Sequence, residues 1–241
     1  MKTAAIVIVG DEILSGKVED ENARFLVAEL RELGVMLARI TVVPDEVEVI
    51  AETVRDLSAR FDYVFTSGGV GPTHDDLTIE GVARGLGRRV VRDPALEVLL
   101  RAHFGKDVSE AGLRMADVPE GSERAGGEDL RWPVCVAANV YVLPGVPEIF
   151  RRKFAAVRER FRESPFVLRS VYLRADESSI AAGLAEVAAE FPSVRIGSYP
   201  RTDEHGPIVR ITIESKDSAA VQRATDRLVE RAPAGTVAST E

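Results

Sequence analysis

Cysteine is nearly absent from the sequence. Cys135 is the only one in 241 residues, so no intramolecular disulfide can form. That fits a reducing compartment, and a cytoplasmic protein is expected. Long apolar runs are missing as well. No stretch approaches the roughly 20 residues of a membrane-spanning helix. The amino terminus enters a strand at once, at Thr3–Val9, with one lysine and no cleavage-site pattern, so no signal peptide is expected. Positive charge is in short supply, with a formal net charge of −8. A nucleic-acid binder is more often basic, so neither nucleic acid nor membrane is an expected partner. A nucleotide ligand remains open, because a metal ion or a cluster of backbone N–H groups can hold phosphate.

What is present suffices for a core without staples. Hydrophobic residues make up 45% and charged ones 29%, as in a soluble globular chain. The length suits one large domain or two modest ones.

The first part alternates strand and helix. Ala4–Val9 is a continuous apolar run, the mark of a strand buried on both faces. A helix is expected near Asp20–Leu33, with Phe25, Leu26, Leu30 and Leu33 on one face and Gly34 closing it. A strand follows near Leu37–Val43. Val47, Ile50, Ala51, Val54 and Leu57 then repeat at helical spacing, with Asp45 placed as the N-cap and Glu48 three residues on. Asp62–Thr66 reads as a third strand. This order predicts parallel strands with helices on both faces. Helices are expected over Thr78–Leu86, Pro94–Phe104 and Val146–Phe161, a loop-rich stretch over Gly105–Gly127, and strand character over Arg131–Leu143. Past Pro165 the pattern becomes β-α-β-β-α, which predicts a small α+β domain of ferredoxin-like type. The expected domains are 1–164 and 165–241, with Ala232–Glu241 as a loose tail.

Three loops at strand ends carry the chemistry. The strongest is Ser67-Gly68-Gly69-Val70-Gly71-Pro72-Thr73-His74-Asp75-Asp76, between a buried strand and a helix. Its glycines allow close backbone approach, and N–H groups at a helix start suit an anion. Two adjacent acids would repel a phosphate unless a hard divalent cation lies between them. On composition alone, capping and turn roles for Asp76 and Thr78 stand level with ligand contact. The second loop, Gly10-Asp11-Glu12, follows the first strand and lacks the lysine and glycine spacing of the known phosphate fingerprints. The third, Pro144-Gly145-Val146-Pro147-Glu148, is ordinary strand-to-helix punctuation by itself. Ligands bind at the carboxyl ends of parallel strands, where all three loops are placed. Cys135 reads as a core residue. Arg151, Arg152 and Lys153 read as a charge run on a solvated face.

In this order and context the three loops resemble the molybdopterin-binding fold family, which includes the MogA and MoaB proteins and the amino-terminal domain of CinA. Val42–Val47, Asn139–Gly145, Ala175–Ile180 and Gly197–Pro200 also look like the molybdopterin-binding-like domain of eukaryotic FAD synthase. The resemblance implies a three-layer α/β domain followed by the small α+β domain. It implies a homo-oligomer, dimer or trimer, that takes a small nucleotide or pterin ligand. Ligand contact would come from Gly10, Asp11, Glu12, Ser67, Gly68, Gly69, Gly71, Pro72, Thr73, His74, Pro144, Gly145, Pro147 and Glu148. Asp45 and Asp76 match acidic positions implicated in MogA-type catalysis.

The resemblance further implies a nucleotide pyrophosphohydrolase cleaving an ADP-containing cofactor, FAD or ADP-ribose. A divalent metal of Mg, Mn or Co type would sit on Asp75, Asp76 and Glu12, with potassium as a possible second ion. The alternatives are molybdopterin binding or adenylylation, and a ligand-binding module without catalysis. CinA-type proteins often carry Pro-Gly-Pro-Pro where this sequence has Pro144-Gly145-Val146-Pro147. The length leaves no room for an amidase domain or an FMN-adenylylating domain, so those activities are not expected.

Overall fold

The computed structural model describes residues 1–105, 107–126, 130 and 132–241. Arg131, the expected start of a strand, lies outside them, as do Lys106 and Gly127 in the loop-rich stretch. The chain divides into two compact units, Met1–Glu163 and Ser164–Glu241.

The first unit runs β1 (Thr3–Val9), α1 (Asp11–Leu14), α2 (Asn22–Glu32), β2 (Met36–Val43), α3 (Val47–Arg60), β3 (Tyr63–Ser67) and α4 (Thr78–Gly85). It continues with β4 (Val90–Arg92), α5 (Pro94–Phe104), α6 (Glu110–Leu113), β5 (Asp117–Pro119), β6 (Glu123–Ala125), β7 (Val134–Ala137), β8 (Val140–Leu143) and α7 (Pro147–Val157). Among the described residues the main sheet has six strands in the order β2-β1-β3-β8-β7-β6. The first four are parallel, with Ile6 beside Phe65 and Phe65 beside Tyr141. The last two are antiparallel.

Strand periodicity sorts β1 between two cores. Ala4, Ile6 and Ile8 join Leu26 and Leu30 of α2 and Phe150, Phe154 and Val157 of α7. Ala5, Val7 and Val9 join Ile50, Val54 and Leu57 of α3 and Val82 of α4. The result is the expected helix–sheet–helix sandwich. Each fully buried aliphatic or aromatic side chain contributes about 1.5–3 kcal/mol, so the doubly buried β1 anchors the unit.

Local structure departs from expectation in four places. The apolar stretch read as one strand up to Leu143 is a hairpin, β7 and β8. Ala138 turns it at φ 54, the one non-glycine residue with positive φ among those described. Asn139 pins the turn by donating from Nδ2 to the carbonyls of Ser58 (3.0 Å) and Phe61 (2.8 Å). That support comes from α3, far away in sequence. The loop after β1 holds the short helix α1. Asp45 does not cap α3, whose N-cap residue is Glu46 with no side-chain bond. Its carboxylate instead accepts the Asp11 N–H at 2.9 Å, at the start of α1.

The second unit runs β9 (Val167–Leu173), α8 (Glu177–Glu190), β10 (Arg195–Asp203), β11 (Gly206–Ser215), α9 (Ser218–Arg231) and β12 (Val237–Thr240). Its sheet order is β10-β11-β9-β12, with antiparallel neighbours throughout. Ile180 and Val187 of α8 and Val221, Ala224 and Leu228 of α9 pack on Val171, Val209, Ile211 and Ile213. This is the ferredoxin-like arrangement. The carboxyl-terminal segment is no loose tail. Val237–Thr240 completes the sheet on the open edge of β9, and Ser170 and Glu241 exchange two backbone bonds of 2.8 Å.

Candidate ligand-binding site

The three loops meet at the carboxyl end of the parallel strands. Gly10 donates its N–H to the Val43 carbonyl at 3.1 Å, which fixes the first loop beside the end of β2. Gly68 has φ +99, and a Cβ there would fall on the Val9 carbonyl oxygen. Only glycine lets the second loop pass so close to β1. A Cβ on Gly145 would stand 3.2 Å from the Gly68 Cα, so the third loop abuts the second, backbone to backbone.

Two buried polar side chains hold this junction. Thr78 is fully buried; its hydroxyl donates to the Gly68 carbonyl at 2.8 Å and its N–H to the Gly69 carbonyl at 3.0 Å. It folds the glycine loop over the start of α4 and does not cap that helix, whose N-cap residue is Leu77. Asn22, 3% exposed, donates from Nδ2 to Ser67 Oγ at 2.9 Å and to the Gly145 carbonyl at 2.7 Å. Its Oδ1 is buried without a partner. Asn22 was not among the expected site residues. Its place just before an apolar helix face reads in sequence only as a helix start.

The acids divide into two environments. Burial pushes the Asp45 carboxyl above its usual range, and the negative charges of Glu12, Asp11 and Asp75 push the same way against the Asp11 N–H bond. Three carboxylates from two loops therefore act on Asp45. Asp76 is bonded differently. It accepts the Thr73 N–H at 2.7 Å and the Thr73 hydroxyl, which closes the loop tip and caps nothing. Asp76 also faces a cavity and is not among the acids acting on Asp45.

Among the described residues no three His, Cys, Asp or Glu side chains converge into a ready-made cation site. Asp75, Asp76 and Glu12 are not preassembled, since the bonds to Thr73 orient Asp76. His74 is almost fully exposed, with Nδ1 at 3.7 Å from Asp75. Pro72 and Thr73 are exposed at the loop tip, and Glu148 is exposed in the first turn of α7, which Pro147 begins.

Behind the glycine loop lies a cavity of about 540 Å³. Gly69, Gly71, Asp76 and Pro144 form its near side. Trp132, Cys135 and Lys153 lie on its wall. Lys153 corrects the reading of residues 151–153 as a solvated charge run: it is 8% exposed. It shares the inward face of α7 with Phe150, three residues before it, and Val157, four after. That spacing was available in the sequence and was masked by the two neighbouring arginines.

Residues 5–163 match the family described as a probable molybdopterin binding domain. The chain belongs to this molybdopterin-binding-domain family. Residues 165–241 match a second family, the middle domain of FAD synthase. The chain's relatives differ in length. It is 36% identical over 251 residues to a probable FAD synthase of Caenorhabditis briggsae, covering 92% of this chain and 48% of that protein. The chain thus spans about half the length of that relative. A protein of Archaeoglobus fulgidus is 34% identical over 225 residues, covering 93% of this chain and 96% of its own length. Among solved structures, CinA of Thermoplasma acidophilum is similar with TM-score 0.61 and 30% identity, over 66% of this chain and 98% of that one. No helix among the described residues is long and apolar enough to cross a membrane.

Proposed function

We propose that this member is a nucleotide pyrophosphohydrolase acting on FAD or a related ADP-containing cofactor. The observation that carries the reading is the juxtaposition of the glycine loop with Asp45 and the carboxylates of Asp11, Glu12 and Asp75 that repel it. A phosphate cradle beside unneutralised acids is unfavourable unless a cation joins them. The match of residues 165–241 to the FAD synthase middle domain supports a flavin-containing ligand.

The donor set suits a hard divalent cation, because every candidate ligand is a carboxylate oxygen. Glu12, Asp75 and Asp76 would hold it together with phosphate oxygens of the ligand, since the protein alone offers no closed cluster. When bound, it neutralises charge that develops on the phosphates. Backbone N–H groups of Gly68–Thr73 bind and orient the pyrophosphate. Asp45, whose carboxyl is raised above its usual range by burial and the neighbouring acids, takes a proton from the attacking water. The water oxygen bonds to one phosphorus, the bridging P–O bond breaks, and FAD yields FMN and AMP.

The test is incubation of the purified chain with FAD and with ADP-ribose, with Mg, Mn or Co and with excess chelator. Metal-dependent release of AMP is the expected result. No cleavage under any condition, or full cleavage in chelator, overturns the reading. The match of residues 5–163 favours a second reading, molybdopterin binding or adenylylation. Molybdopterin with ATP forms a further arm, and binding without conversion in every arm would mark a non-catalytic module.

A further inference from the structure

Lys153 has a donor that the fold does not use. Its ammonium donates to the carbonyls of Trp132 at 3.1 Å and Pro133 at 2.9 Å. An ammonium carries three donors, and among the described residues the third has no acceptor. No carboxylate pairs with it there; the nearby ionisable groups are the Cys135 thiol and the Arg152 guanidinium. Burial lowers its pKa to about 8, so it is still mostly charged at neutral pH. An unpaired buried charge costs stability, and packing alone would be better served by methionine.

The cavity gives this donor a use. Leu96, Met115, Leu130 and Trp132 make its walls largely apolar, and its near side is the glycine loop assigned above to phosphate. Arg114 and Arg152 also line the cavity but are exposed to solvent, unlike Lys153. Asp93 is held by Arg124, and Asp117 is held by Arg92 at 2.6 Å. A slot with largely apolar sides, one buried cationic donor and a phosphate cradle at its mouth fits a phosphate-bearing fused ring. The donor also discriminates. Lys153 can only meet an acceptor, such as an exocyclic carbonyl oxygen. Adenine has no such oxygen: its amino group is a donor, and only its ring nitrogens can accept.

We propose that this cavity is the ring compartment of the site, and that Lys153 selects an oxo-bearing fused ring of flavin or pterin type over adenine. The inference rests on the phosphate site of the proposed function. It adds that the flavin half of FAD, not the adenine half, enters the cavity.

Trp132 is the only tryptophan in the chain, so its emission reports occupancy of this cavity. The full chain in excess magnesium is titrated with FMN, a phosphorylated pterin, GMP and AMP, and Trp132 quenching is read beside equilibrium dialysis. None of these ligands has a phosphoanhydride bond, so the result does not depend on turnover. FMN or the pterin should bind at least about tenfold more tightly than AMP, the effect of one charge-assisted hydrogen bond. Which of the two binds more tightly separates a flavin from a pterin ligand. Lys153→Met should abolish that preference, with an unchanged circular dichroism spectrum as the folding control. Lys153→Arg, which keeps the charge, should keep part of it. If Lys153→Met does not fold, loss of the preference in Lys153→Gln supplies the same readout. AMP binding as tightly as FMN in the unaltered protein overturns the proposal. So does a preference that survives loss of the charge, or saturable binding that leaves Trp132 emission unchanged. FAD cleavage together with any of those outcomes sinks this inference alone; the expected binding pattern without cleavage sinks only the hydrolase reading.

Discussion

Asp45 and Asp76 are both acids at the same end of the sheet, yet their bonds set different expectations for their variants. Asp45 accepts one backbone N–H and is repelled by three other carboxylates. Asparagine can keep the bond to Asp11 and removes the repulsion. Asp45→Asn should therefore lower hydrolysis by at least about 100-fold, the low end of acid–base contributions, without lowering the melting temperature. Asp76→Asn should lower turnover by a similar factor with a small loss of stability, because the bonds to Thr73 need an acceptor. Steady-state rates and thermal melts on both variants check this; undiminished rates would return the two acids to structural roles. Asn22 is a different case. Asn22→Ala deletes two hydrogen bonds between loops and should cost about 1–3 kcal/mol in urea unfolding. Its bonds reach residues 45 and 123 positions away. No local pattern could announce them, whereas the glycines and acids were legible because their residue types are unusual beside a buried strand.

At the level of elements, long periodic segments were readable and short or tertiary-supported ones were not. The apolar spacing of α2, α3, α5 and α7 fixed each within a few residues. The β7–β8 hairpin was hidden because its turn carries Ala138 and not glycine, and its support comes from Asn139 reaching α3. Strand β12 was hidden because Val237–Thr240 is exposed throughout and carries no buried alternation; pairing with β9 makes it a strand. The start of α5 gives a pH-dependent prediction. Burial alone would raise the Asp93 carboxyl, but the Arg124 ion pair and the N–H groups of Leu96 and Ala95 hold it below the usual carboxylate range. A group depressed in the folded state stabilises the protein above its unfolded pKa, and the effect fades as pH falls through the folded value. Asp93→Ala should cost about 1–2 kcal/mol at neutral pH from the lost cap. The gap to the unaltered protein should shrink as urea titrations move into the acid range. A cost that stays constant with pH would assign Asp93 to packing.

On the scale of the whole molecule, each unit has its own sheet and its own core. The β-α-β-β-α pattern of the second unit is legible in the sequence, and within that unit the last strand was missed. That strand covers the edge of β9. Deleting residues 234–241 should leave unpaired backbone along β9, lower the stability of the second unit and promote association. Light scattering and thermal unfolding of the truncated chain check this; a monodisperse protein with unchanged unfolding would show that the edge needs no cover. The junction of Gly68 and Gly145 has a consequence on a longer timescale. Two backbones meet there with no side-chain volume between them, so no smaller residue exists to substitute and every replacement adds atoms. Most packed positions can drift by exchanging volume with a neighbour, but this one cannot. Sequence change around the site is therefore channelled into the cavity wall, where the lining can diverge while the glycine loop stays fixed.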